Sequence, residues 1–405
     1  MPWRQTCAMD QRVALVADWL RDEWTMTELA ERYGISRKTA YKWVDRYEAE
    51  PVAGLAERSR APHAHGRAMP SEVAAAVIAL RHTHPTWGPK KLRVVLTERF
   101  PAVAWPAAST MGELLHRQGL SASRRRRRVI TPLTQPLAAA TAPNAVWTAD
   151  FKGWFRTGDG TRCDPFTVAD AYSRFVLCCR IVPPTGAAVR RCLDRTFREY
   201  GLPGALRTDN GAPFASQGPA RLSRLAVWWL KLGIQLDRID PASPQQNGRH
   251  ERFHLTLQQD TTTPPAASPR QQQARFDVHR RLFNEDRPHE ALGQQPPARV
   301  YVPAPRPYPR PLEEPWYDPT HQVRRVRPNG AIKWHGDLVF VSEAVRGEVV
   351  GLAETARGDW VVRFMHLELG RIDRHTRRFT AAWHGRRVGP SERVPSGEVL
   401  PMYPV

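Results

Sequence analysis

Three carboxylates in this chain stand where phosphoryl chemistry could be done. Asp150 closes the apolar run Val146-Trp147-Thr148-Ala149, and Asp209 follows the short run Ala205 to Thr208. Glu251 lies in Ser243-Pro244-Gln245-Gln246-Asn247-Gly248-Arg249-His250-Glu251-Arg252. Two of the three end β-like runs, and the carboxyl ends of strands are where an α/β sheet opens to its substrate. A set of carboxylates with no histidine, cysteine or serine partner suits hard divalent ions, Mg2+ or Mn2+. Two such ions can activate a water or a 3′-hydroxyl and stabilise the leaving oxygen of an in-line phosphoryl displacement. Asp164 and Asp170 are rival ligands, although Asp170 precedes Ala-Tyr-Ser-Arg and can order that turn instead.

The elements that must position these acids follow from periodicity. Residues 144–151 alternate as a strand, and 166–170 and 175–182 are further β-rich runs. A helix is expected over 185–200, a strand over 205–208, a helix over 220–232 and a strand over 234–238. Ser243 before Pro244 is a helix-start signature, so a last helix carries Glu251. Strands alternating with helices in this order predict an α/β layer with a mixed sheet at 144–302. Residues 318–385 hold short strands, with Asn329-Gly330 and Arg357-Gly358-Asp359 at turns, and predict a small SH3-like β-barrel.

Upstream, the chain reads as helical. Val13, Val16, Ala17 and Leu20 form one stripe, Thr25 and Glu28 have capping-box spacing, and Ser36 can cap a third helix with Ala40, Trp43, Val44 and Tyr47 on its apolar face. Helix, Gly34 turn, then a helix opening with Ser36, Arg37, Thr39 and Lys42 is helix-turn-helix geometry over 8–50, its second helix suited to the major groove. A second helical, helix-turn-helix-like module spans 66–122, with Thr110 and Glu113 placed to box its third helix. Arg124, Arg125, Arg126, Arg127 and Arg128 fall in a basic linker, 123–143, that suits a phosphate backbone.

Composition agrees with that partner. The 405 residues carry a net charge of +20, with basic residues in excess in all three parts of the chain, which favours a polyanion touched along much of its length. Five cysteines without a Cys-x-x-Cys pair argue against a disulfide framework or a structural zinc. Residues 1–10 lack an apolar signal core and no apolar run nears the roughly 20 residues of a membrane span, so an intracellular protein with no membrane partner is expected.

Trp147-Thr148-Ala149-Asp150-Phe151-Lys152-Gly153, Thr208-Asp209-Asn210-Gly211 and Ser243 to His254 together resemble the retroviral-integrase catalytic core, most closely the insertion-sequence (rve, DDE) transposases of that superfamily. Asn284-Glu285-Asp286-Arg287-Pro288-His289-Glu290-Ala291-Leu292 resembles the segment that follows the core in those proteins. The resemblance implies a ribonuclease-H-like fold in which Asp150, Asp209 and Glu251 hold two Mg2+ (or Mn2+) ions. It implies a recognition helix at Arg37, Thr39 and Lys42. Asn247, Arg249 and Arg252 make sense as the DNA-facing edge of the site. It further implies a polynucleotidyl transferase of the bacterial cytoplasm, associated with the nucleoid. Such an enzyme cuts and joins double-stranded DNA at the ends of a mobile element, as at least a homodimer. The interval from Asp209 to Glu251 is longer than the family's usual one, which points to an inserted loop at 212–223, and the retroviral zinc-binding module is replaced by helix-turn-helix units. A catalytically silent DNA-binding regulator and a plain ribonuclease-H-like nuclease are the alternative readings.

Overall fold

The computed structural model describes residues 7–57, 69–121, 137, 139–239, 248–309 and 311–382. The chain divides into two compact units, Met1–Pro70 and Ser71–Val405.

In the first unit, α1 (Ala8–Leu20), α2 (Met26–Arg32), α3 (Arg37–Ala49) and the short α4 (Pro51–Gly54) enclose a core of Leu15, Val16, Leu29, Ala30, Ala40, Trp43 and Leu55. Caps set two of the starts. The Thr25 hydroxyl accepts the Glu28 N–H while the Glu28 carboxylate accepts the Thr25 N–H, and the Ser36 hydroxyl accepts the Thr39 N–H; such caps contribute about 1 kcal/mol each. The α1 stripe differs from expectation. Val13 and Leu20 are exposed and Leu15 takes the core position, because the packing direction is set by α2 and α3.

The second unit begins with α5 (Ser71–Thr83), α6 (Pro89–Arg99) and α7 (Ala108–Arg117) around Val77, Leu80, Trp87, Leu92, Met111 and Leu115. The Thr110–Glu113 capping box does not form: α7 starts earlier, and its first residue follows Ala107, which offers no side-chain cap.

The central sheet contains β1 (Val146–Phe151), β4 (Pro165–Asp170), β5 (Val176–Ile181), β6 (Ala205–Thr208) and β7 (Gln235–Arg238), in the order β5-β4-β1-β6-β7. The β5-β4-β1 half is antiparallel and the β1-β6-β7 half parallel, which gives the expected mixed sheet. A small hairpin of β2 (Phe155–Arg156) and β3 (Arg162–Cys163), too short to show a period, follows β1. One face of the sheet packs on α8 (Gly186–Tyr200) and α9 (Arg224–Lys231) through Trp147, Phe197 and Trp228. The other packs on α10 (Gly248–Thr261) and α11 (Pro269–Glu285) through Val176, Cys179, Phe253, Leu257, Phe276 and Phe283. Burying Phe253 and Leu257 stabilises the seat of α10 by roughly 1.5–3 kcal/mol each.

The C-terminal strands take a different form from the expected barrel. Strands β8 (Gln322–Arg325), β11 (Val349–Glu354), β12 (Trp360–Phe364), β13 (Leu367–Ile372) and β14 (Phe379–Ala381) pair as an open antiparallel sheet, with β9 (Ala331–Trp334) and β10 (Asp337–Phe340) as a separate hairpin. Among the described residues the strand pairing does not close into a ring, since β14 and β8 lie at opposite edges. This sheet shares its core with the central one. Phe214 and Leu222, in the 212–223 stretch read as an insertion, join one apolar cluster with Val350, Leu352 and Phe364. The Lys231–Glu348 ion pair, 2.9 Å and mostly shielded, adds a polar link.

Candidate active site

The parallel register of β1 and β6 pairs Val146 with Ala205, Trp147 with Leu206 and Thr148 with Arg207. Carried two residues further, that register sets Asp150 beside Asp209, the first residue past β6, at the carboxyl ends of adjacent strands. Asp209 is half-buried; burial raises its pKa, and the hydrogen bond its Oδ1 accepts from the Gly211 N–H, 3.2 Å, offsets part of the rise. Asn210 fixes the same turn by donating from Nδ2 to the Ile239 carbonyl at the end of β7.

Alternation along β1 sends Trp147 and Ala149 into the α8–α9 side and Thr148 with Asp150 to the opposite face. That face receives α10. His250 Nδ1 lies 2.8 Å from Thr148 Oγ1 and its Nε2 2.6 Å from Thr167 Oγ1, while His254 Nε2 lies 2.8 Å from the same Thr167 hydroxyl. Thr167 is the cross-strand partner of Asp150. With His250 neutral, its Nδ1–H donates to Thr148, whose O–H turns to the Ala169 carbonyl, and its Nε2 accepts the Thr167 O–H, for which the Asp150 carbonyl at 3.2 Å competes; His254 Nε2–H donates to Thr167. Burial pushes His250 down to about 4; burial, then the neighbouring His250 and Lys152, pushes His254 down to about 2.

These two histidines pin the first turns of α10 to the strand that carries Asp150. Sequence reasoning left them without a role. The available signal was their i, i+4 spacing on the helix face that also holds Phe253 and Leu257.

Glu251 is exposed on the first turn of α10, about 100° around the helix from His250. Seven residues on, and on the same side of the helix, Gln258 accepts a 3.1 Å hydrogen bond from Lys152 Nζ, two residues beyond Asp150. The Glu251 side of α10 is therefore turned toward the end of β1. Among the described residues, no three His, Cys, Asp or Glu side chains converge closely enough to hold a metal ion. The structure thus brings Asp150 and Asp209 side by side and sets Glu251 on the adjoining helix, without closing the three into a chelate. The donor chemistry still fits a hard cation: all donors are carboxylate oxygens, and Asp209 is raised by burial with no cation among the causes of its shift.

The rival acids sit elsewhere. Asp170 is opposite Trp147, three residues and so about 10 Å along the sheet from Asp150. It is buried and accepts from the Asn144 N–H (2.8 Å), the Ser173 N–H (2.7 Å) and the Ser173 hydroxyl (2.6 Å). Asp164 is bound by Arg162.

Of the residues expected to touch DNA, Arg37 and Lys42 are exposed on α3, Ser36 caps it, and Thr39 is half-exposed and paired with the Ser36 hydroxyl at 2.8 Å. Arg249 and Arg252 are exposed on α10, and Arg249 donates to the Ala171 carbonyl. Asn247 and the arginines 124–128 lie outside the described residues.

Comparison with known proteins places these features in a family. Models described as an integrase core domain match residues 140–244 and 232–297. A helix-turn-helix domain model matches 11–63, and a homeodomain-like domain model matches 39–115. The insertion element IS407 uncharacterized 31.7 kDa protein of Burkholderia multivorans is 30% identical over 237 residues, covering 56% of this chain and 79% of its own. The insertion element IS476 uncharacterized 39.2 kDa protein of Xanthomonas euvesicatoria is 28% identical over 286 residues, covering 69% of this chain and 79% of its own. Among solved structures, the catalytic core domain of BIV integrase is a remote likeness: 20% identity, TM-score 0.30, 39% of this chain and 93% of that one. By its integrase core, its helix-turn-helix modules and its insertion-element relatives, this chain belongs to the insertion-sequence transposases of the retroviral-integrase superfamily.

Proposed function

We propose that this transposase binds the terminal inverted repeats of its own mobile element and catalyses Mg2+-dependent strand cleavage followed by 3′-OH strand transfer into target DNA. The observation that carries the reading is the parallel pairing of β1 with β6, which puts Asp150 and Asp209 at the carboxyl ends of adjacent strands, on a sheet whose same side is covered by the Glu251 helix. In this reading Asp150, Asp209 and Glu251 are the metal ligands and the catalytic acids. When bound, Mg2+ or Mn2+, two per site, supplies the charge that activates the attacking oxygen and stabilises the leaving one.

The chain's own residues do the rest. Lys152 places a cation beside the strand end, and the His250–Thr148–Thr167–His254 network holds α10 in register without introducing charge. Water attacks the phosphodiester at the element's end and releases a 3′-hydroxyl. That hydroxyl then attacks a target phosphodiester, so one P–O bond forms as another breaks. The three acids include no serine or tyrosine nucleophile, so no covalent protein–DNA intermediate is expected.

The division of labour assigns 8–50 to base reading through Ser36, Arg37, Thr39 and Lys42, 66–122 to further DNA contact, and 123–143 with its arginines 124–128 to the backbone. Residues 144–302 carry the chemistry, with Asn247, Arg249 and Arg252 at its edge, and 318–385 make up the C-terminal β-module, whose described strands form an open sheet and a hairpin. Two ends must be held together, so the working form on DNA is at least a homodimer in the bacterial cytoplasm. No helix of the described residues is long and apolar enough to cross a membrane. Incubating a labelled terminal-repeat duplex with supercoiled plasmid and Mg2+ tests the reading. Joined product supports it; cleavage without joining supports a nuclease, and binding without either supports a regulator.

A further inference from the structure

A second concentration of charge lies away from the carboxylates, where α6 meets the end of α11. Helix α6 opens after Gly88 with no side-chain cap and no acidic residue in its first turn, which instead carries Lys90 and Lys91. Two ion pairs, one at each end of α6, hold it against the region beyond α11: Lys90 Nζ to Glu290 Oε1 at 2.6 Å and Arg299 Nη1 to Glu98 Oε1 at 2.9 Å. Between them runs a seam of partly buried cations.

Arg287 is 8% exposed, lies over the Phe283 ring and reaches Asp260 at 3.5 Å, a carboxylate that also takes His279 at 3.5 Å. Lys91 is half-buried, and burial, then Arg287, pushes its pKa down to about 8; Arg252 acts in the same sense, while Glu290 and Asp260 oppose it. His289 is pushed down to about 3 by burial, then by Lys91, Arg287 and Arg174. Two nitrogens in the group are buried with no hydrogen-bond partner among the described residues, the donor Arg174 Nη1 and the ring nitrogen His289 Nε2.

Shielded cations facing one another are costly unless an anion joins them, and an unpartnered buried donor carries its own penalty of about 1–3 kcal/mol. The start of α6 adds the partial positive charge of a helix N-terminus, which favours an anion. The neighbouring Arg252 connects the seam to Glu251, its adjacent residue.

We infer that the seam between α6 and the end of α11 binds backbone phosphates of duplex DNA through Lys91, backed by the shielded charges of Arg287 and Arg174, and leads a strand toward Arg252 and Glu251. The inference rests on the chain acting on DNA and not on the strand-transfer chemistry. It also assigns a role to part of the Asn284 to Leu292 segment. Asn284 exchanges hydrogen bonds with the backbone of Val176 at 2.8 and 3.0 Å and is structural, whereas Arg287 and His289 belong to the group of shielded side chains beside Lys91.

The test uses the full chain in EDTA, with fluorescein-labelled duplexes of about 30 base pairs, one carrying the terminal repeat and one of unrelated sequence. Affinity is measured against salt concentration. Lys91→Gln is expected to lower the salt slope by about one unit and to weaken both duplexes by the same factor. Calorimetry at pH 8 in buffers of different ionisation enthalpy should show net proton uptake on binding, lost in Lys91→Gln. Lys91→Arg should keep the slope and lose the uptake, which separates a phosphate contact from a folding defect. An unchanged slope and unchanged uptake in Lys91→Gln overturn the groove, as does a wild-type chain that binds neither duplex. If the slope falls but no strand transfer is found, the groove stands and the proposed chemistry fails; transfer with an unchanged slope has the opposite meaning.

Discussion

The first helical unit and the α6–α11 region both present cations, and they treat them in opposite ways. In the first unit, Arg37 and Lys42 are exposed on a capped helix over a small apolar core, and the described stretch contains no histidine. In the α6–α11 region, Lys91 and Arg287 are drawn out of water beside neutral histidines. Exposed donors on a rigid helix can sample base edges and discriminate among them. Shielded cations in a seam meet whatever anion enters and cannot read sequence. On the proposed function, the contrast separates recognition from delivery of the strand.

The largest effect that would break this contrast is on specificity. Arg37→Ala combined with Lys42→Ala is expected to weaken terminal-repeat binding on the order of 100-fold, at about 1–3 kcal/mol per lost base contact, with much less effect on an unrelated duplex. Competition binding with both duplexes measures it. An equal loss on both would make α3 a backbone contact and remove the distinction.

Acid should sharpen the contrast next. His250, His254, His279 and His289 all lie below their ordinary value because of burial. A depressed histidine stays neutral when folded and takes up a proton when unfolded. Its contribution is therefore complete above about pH 6.5 and is lost as pH falls toward 4, on the order of a few kcal/mol in sum. Hydrogen exchange of the full chain followed by mass spectrometry, at pH 7 and pH 5 and corrected for intrinsic rates, should show the α10–α11 peptides losing protection. The α1–α3 peptides should change little. Equal loss in both would refute it.

The smallest effect is local. Ser36→Ala removes the α3 cap and should cost about 1 kcal/mol, seen as roughly fivefold faster exchange at the start of α3 with no change in α10.

The same contrast explains what the sequence made legible. The Ser36 cap, the Thr25–Glu28 box and the β1, β4 and β6 strands depend on neighbours in the chain, and they stand where the pattern placed them. The strand-end setting of Asp150 and Asp209 was legible for the same reason. The neutral anchor of His250 and His254 was not, since its partners Thr148 and Thr167 lie 102 and 83 residues away from His250. Strands β13 and β14 carry the weakest local signal, since Arg371 breaks the alternation begun by Leu367 and Leu369 in the first and the second is only three residues long. The open form of the C-terminal sheet depends on Phe214 and Leu222 packing with strands far along the chain, which no local period records.

The measurement closest to the central claim is Mg2+-dependent strand transfer by Glu251→Gln beside the wild type. The exchange removes a charge from an exposed side chain and leaves the buried anchor of α10 intact. Full binding of the terminal-repeat duplex with transfer reduced to background is the expected result. Transfer at the wild-type rate would contradict the assignment of Glu251, with Asp150 and Asp209, to the metal site.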